Sequence, residues 1–161
     1  METFEPLLIL PVAVLVAFGL LALLFSPFVR HKSQVLAGTS LAGIVMSGAA
    51  TGRLWTEWRA AGILTTGHGL VRIDGFGLFA SFLVLIAGGL TLLVSPWALE
   101  RDDADHGEFY ALLLFAVAGM VAMLQTSHLA MVLIGLEAFS IALYVLCGLT
   151  RLRLIESRVV S

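Results

Sequence analysis

LAMVLIGLEAFSIALYVLCGL, from Leu129 to Leu149, decides the fold. A run of about 20 apolar residues, wound as an α-helix rising 1.5 Å per residue, crosses a hydrocarbon layer roughly 30 Å thick. One acid interrupts it: Glu137, eight residues after Leu129 and twelve before Leu149. An ionised side chain at that depth costs at least about 2.5–3.5 kcal/mol. Glu137 therefore needs a cationic partner, contact with water, or a proton of its own. Each of these suits a proton or cation path. The plainer reading is a protonated glutamate that ties two helices together by a hydrogen bond.

The neighbours of Glu137 sharpen the choice. At 100° per residue, Ser140, Tyr144 and Cys147 fall within an arc of about 80° beside it, a polar stripe on an apolar helix. Such a stripe is expected to face protein rather than lipid. The chain has no Lys or Arg in the middle of any apolar run, so a basic partner for Glu137 belongs to another polypeptide.

Four more runs accompany this one: Leu7–Phe25, Gln34–Ala50, Phe76–Val94 and Phe109–Leu124. Of the 161 residues 60% are hydrophobic and only 12% charged, and the mean hydropathy is +1.03. Soluble domains carry roughly twice that charge and cannot hide so much apolar surface. The expectation is an all-α, polytopic membrane protein of about five transmembrane helices, forming a single integral membrane domain over residues 1–161. The first run follows Met1, Glu2 and Glu5 without the basic segment of a secretory signal, so it reads as a retained helix. A net charge of −2 gives no field to recruit nucleic acid. The single Cys147 excludes an intrachain disulfide.

Polar connections separate the runs. Arg30-His31-Lys32 follows the first, Thr51–Asp74 is expected to be an interfacial loop, and Pro96–Glu108 holds Glu100, Asp102, Asp103 and Asp105. Ser95-Pro96 is expected to end the third helix. The short Gln125–His128 connection requires an antiparallel hairpin of the last two helices. With the N-terminus outside, Arg30, Lys32, Arg101, Arg151, Arg153 and Arg158 lie inside, and Arg53, Arg59 and Arg72 outside. An excess of basic residues on the inside selects that orientation. Gly38, Thr39, Ala42, Gly43, Ser47 and Gly48 give the second helix a candidate close-packing seam.

Other polar residues have ordinary roles at hand. His128 is a candidate proton relay at the mouth of the fifth helix, because imidazole changes charge near neutral pH; a hydrated turn residue is the alternative. Asp74 is expected to cap the third helix. His31, His68 and His106 have no companions at metal-ligand spacing, and the acidic loop reads as solvated. No phosphate-binding glycine loop, CxxC pair, nucleophile triad or haem-type histidine pair is present in the sequence. The chain is not a self-contained enzyme.

From Asp74 onward the order of residues is also familiar. DGFGLF opens the third run, GEFYALLLFAVAGM spans Gly107–Met120, and GLEAFSIALYVL spans Gly135–Leu146. Over this half of the chain the sequence resembles subunit N of proton-pumping NADH–quinone oxidoreductase, respiratory complex I. It is more loosely similar to the other antiporter-like subunits and to multisubunit cation/proton antiporters. The resemblance implies a membrane-arm subunit contributing to proton translocation coupled to NADH oxidation and quinone reduction, in a bacterial-type inner (plasma) membrane. It implies an N-terminus outside and a cytoplasmic C-terminus. NADH, flavin, iron–sulfur clusters and quinone would be handled by other subunits, with no cofactor or metal on this chain. Glu137 matches the family's glutamate on the fifth helix, which pairs with a lysine on a later, broken helix.

Family members continue through many further helices, whereas this sequence ends at Ser161. The expectation is either a split subunit, completed by a polypeptide supplying the missing helices and the intramembrane lysine, or a truncated product. A subunit of a cation/proton antiporter and a purely structural membrane fragment are the competing readings.

Overall fold

The computed structural model describes residues 5–26, 33–65, 70–101 and 107–159. Five helices carry the chain back and forth: α1 (Glu5–Phe25), α2 (Ser33–Ala61), α3 (Gly75–Arg101), α4 (Gly107–Leu124) and α5 (Leu129–Val159). Four of them contain apolar stretches long enough to span a bilayer, and Glu108–Leu124 of α4 is a shorter apolar helix. The protein is an all-α polytopic membrane protein.

Helix α4 lies at the centre and touches all four others. Its sequence has apolar residues on every side, the pattern of a helix enclosed by others. Tyr110, Leu114, Val117, Ala118 and Val121 are all nearly inaccessible and form the core with Leu15, Leu36, Ile44, Leu85 and Leu92. The outer faces of α1, α3 and α5 expose Leu24, Phe76, Leu90, Leu93 and Leu133. Apolar surface on that scale belongs in lipid or against other membrane helices.

Between α2 and α3 runs a short hairpin, β1 (Leu64–Thr65) antiparallel to β2 (Arg72–Ile73), with Leu64 opposite Ile73 and Thr65 opposite Arg72. Gly62, at φ 81°, turns the chain out of α2, and its N–H donates to Trp58 O at 2.8 Å. Leu64 and Ile73 join Leu8, Leu54 and Leu78 in a second apolar cluster flanked by Trp55 and Trp58.

Three boundaries differ from those read in the sequence. Helix α2 continues to Ala61, so Thr51–Ala61 is helix and not loop. Arg53, Glu57 and Arg59 ended the apolar run, but backbone hydrogen bonding does not require lipid outside. Helix α3 passes through Ser95-Pro96 to Arg101. Pro96 cannot donate to Leu92 O, and the Ser95 hydroxyl donates to that carbonyl instead, at 2.9 Å. Helix α5 runs on to Val159 rather than ending near Leu149.

The seam expected on α2 is half realised. A Cβ on Gly43 would lie 2.7 Å from Phe18 Cβ, and the buried Ser47 hydroxyl donates to Pro11 O of α1 at 2.9 Å. Gly38, Thr39 and Ala42 face outward. Asp74 caps α3 as expected: Gly77 N–H donates to its Oδ1 at 2.7 Å, and Leu78 N–H to its carbonyl at 3.1 Å. His31, His68, His106 and Asp102, Asp103 and Asp105 lie outside the described residues, as does the Glu100 side chain.

Candidate functional site

The start of α5 is fixed by the turn that precedes it. Thr126 Oγ1 donates to Leu70 O at 2.6 Å and accepts from His128 N–H at 3.0 Å. Arg72 N–H of β2 donates to Gln125 O at 3.1 Å. The hairpin is thus laced to the α4–α5 turn. His128 itself begins the helix, its carbonyl accepting from Met131 and Val132 N–H at 3.0 and 3.1 Å. Its side chain is exposed.

Below that anchor, α5 leans on α4 along one narrow line, through Gly135 and Ala142. Counting 100° per residue from Gly135, Glu137 lies about 200° and Tyr144 about 180° around the helix. Both therefore point directly away from α4. Glu137 is exposed, Tyr144 is 75% exposed, Cys147 is exposed and Ser140 is half-buried. The stripe read in the sequence is real, but none of the described residues covers it. Only 11% of the residues in the apolar span of α5 are buried, against 28, 44 and 39% in α1, α2 and α3.

The structure does not bring His128 next to Glu137. Nine residues of helix separate them by about 13.5 Å along the axis. The arginines with described side chains, Arg53, Arg59 and Arg72, cluster at the hairpin end of the bundle. Among the described residues, no group of three or more His, Cys, Asp or Glu side chains converges to hold a metal. The stripe offers one carboxylate, one phenol, one hydroxyl and one thiol on an apolar helix face. Those groups can accept, hold and pass a proton, and they can pair with a cation brought from outside.

One feature escaped the sequence reading. A groove of about 460 Å³ opens between α1, α4 and α5, lined by apolar groups that include Val16, Phe115, Gly119, Gly135 and Ala138. Its signal was the small residues of α4 and α5, which sit in runs that read simply as apolar.

No protein-family model matches the chain. Curated proteins do. It is 36% identical to NADH-quinone oxidoreductase subunit N of Trichlorobacter lovleyi, over 93% of this chain and 30% of that protein. It is 37% identical to NADH-quinone oxidoreductase subunit N 1 of Solibacter usitatus, over 91% of this chain and 29% of the relative. Over 82 residues, 51% of the chain, it is 43% identical to subunit N 1 of Chloroherpeton thalassium. The matches reach well beyond the half of the chain in which the resemblance was first legible, while the chain spans only about 30% of its relatives' length. A membrane-spanning chain with this alignment belongs, as a segment, to the family of NADH-quinone oxidoreductase subunit N.

Proposed function

We propose that the chain forms the N-terminal part of a proton-translocating membrane subunit of NADH–quinone oxidoreductase, with Glu137 as the group that takes up and releases the proton. The observation carrying this reading is the position of Glu137: mid-span on α5, on the face turned away from α4, and uncovered by the described residues. A carboxylate left there against lipid would cost several kcal/mol. Relatives about three times as long have ample chain to cover it. The covering polypeptide would bring an intramembrane lysine, since a cation close by favours the ionised carboxylate and a switch of that pair moves a proton. Ser140 and Tyr144 would hydrogen-bond the carboxyl or the water beside it. His128 would exchange protons with the aqueous face.

Oxidation of NADH and reduction of quinone would take place on other subunits of the complex, with no redox centre or cofactor on this chain. The orientation that fits the arginine distribution places the N-terminus outside a bacterial inner membrane and the C-terminus in the cytoplasm. The names of the relatives favour this reading over a cation/proton antiporter subunit. The test is Glu137→Gln, which removes the charge and retains hydrogen bonding. In inverted membrane vesicles carrying the assembled complex, NADH-driven acidification should fall several-fold relative to NADH oxidation. Unchanged pumping would make Glu137 a structural tie between helices. Co-purification of antiporter subunits without an NADH-oxidising arm would transfer the chain to the other class.

A further inference from the structure

Where the β-hairpin meets the α4–α5 turn, a pocket of about 340 Å³ opens, lined by Arg72, Asp74, Phe76, Met123, Thr126 and Ser127 among others. It is remote from Glu137 and independent of the proposal made for that residue. We infer that this pocket binds the zwitterionic headgroup of a phosphatidylethanolamine molecule from the surrounding bilayer.

The site straddles the boundary between water and hydrocarbon. Arg72 and Asp74 precede the apolar span of α3, Thr126 and Ser127 lie in the turn, and Phe76 and Met123 belong to the spans. Arg72 and Asp74 are both exposed, carry opposite charges, and stand two residues apart in extended chain, so their side chains leave on the same side. A guanidinium fork matches a phosphate. A carboxylate beside it matches a primary ammonium, which brings three N–H donors. Asp74 Oδ1 already accepts from Gly77 N–H at 2.7 Å, leaving the other oxygen for the ligand. Ser127 adds a hydroxyl, and the Thr126 oxygen is held in place by its own bonds to Leu70 O and His128 N–H. Phe76, 75% exposed, stands where the glycerol and first methylenes of the lipid would rest.

The charge pattern selects among headgroups. Phosphatidylglycerol offers the same phosphate to Arg72 but a neutral glycerol to Asp74, whose charge is left without a cation. Choline carries a cation with no N–H to donate to the carboxylate. For an exposed pair of charges the expected preference is about fivefold.

The test is native mass spectrometry of the protein, purified with its membrane partners from nanodiscs of equal phosphatidylethanolamine, phosphatidylglycerol and phosphatidylcholine, reading which lipid stays bound. The ethanolamine lipid should be retained about fivefold over each of the others. Arg72→Gln should lower retention of all three lipids several-fold, since each carries the phosphate. Asp74→Asn, whose side-chain oxygen still caps α3, should abolish the preference for the ethanolamine lipid. Equal retention of the three lipids by the unaltered protein, undiminished retention by Arg72→Gln, or a preference that survives Asp74→Asn would overturn the assignment.

Discussion

Gly119 of α4 and Gly135 of α5 meet backbone to backbone: a Cβ on Gly119 would lie 2.7 Å from Gly135 O, and one on Gly135 would lie 2.9 Å from Gly119 O. The two helices approach as closely as they do only because both positions lack a side chain. In lipid, where association rests on packing rather than on expulsion of water, such contacts hold helices together. Gly135 is two residues from Glu137, so the same contact sets the direction in which the carboxylate points.

Gly135→Ala should therefore destabilise the α4–α5 pair. The added methyl meets a carbonyl that cannot move aside without shifting a helix, and overpacking of this kind costs about 1–3 kcal/mol. Reversible unfolding in mixed micelles measures it. Gly48→Ala is the control, because a Cβ there meets nothing within 4 Å. It should be neutral or slightly stabilising, since alanine favours helix more than glycine does.

Asp74→Ala removes the acceptor for Gly77 N–H and should cost about 1 kcal/mol by the same measurement. Asp74→Asn should recover most of that loss. A cost shared equally by both substitutions would mean that charge, not capping geometry, is what Asp74 contributes to α3.

Ser95 and Pro96 form a compensating pair. Ser95→Ala leaves Leu92 O without the hydroxyl that serves it, at a cost of about 0.5–1.5 kcal/mol. Pro96→Ala supplies the missing backbone N–H, so in that background Ser95→Ala should cost close to nothing. A double-mutant cycle reads the coupling directly. An equal Ser95→Ala cost in both backgrounds would mean that the hydroxyl does not substitute for the proline's lost bond.

The same pair shows where sequence reading succeeds and where it stops. Apolar length announced the helices, because nothing shorter crosses lipid, but it could not mark their ends. Arg53 and Glu57 stopped the apolar run of α2 without stopping the helix, and Ser95 cancelled a proline that read as a terminator. The Asp74 cap was legible because capping is local chemistry between residues three apart. The mid-span position of Glu137 was legible from residue counting alone, and its shared face with Tyr144 from helical period. The α4–α5 glycine contact was not, since Gly119 and Gly135 become neighbours only after the hairpin closes. Whether protein or lipid meets Glu137 could not be read from this chain, because none of its described residues covers that face of α5.

A spin label tells lipid, water and protein apart at a single position. With Cys147 replaced by Ala, a spin label is placed at Tyr144→Cys on the outward stripe of α5, and in a second protein at Leu90→Cys on the exposed face of α3. Oxygen partitions into lipid, and a charged nickel chelate stays in water. A label between packed helices is slowed and meets little of either. In the assembled complex the Leu90 label should be mobile and oxygen-accessible, and the Tyr144 label slow and shielded from both relaxants. In the isolated chain the Tyr144 label should regain mobility while the Leu90 label stays as it was. An oxygen-accessible Tyr144 label within the complex would place the Glu137 stripe against acyl chains. A carboxylate there could not exchange protons with a partner, and the proposed role of Glu137 would fail with it.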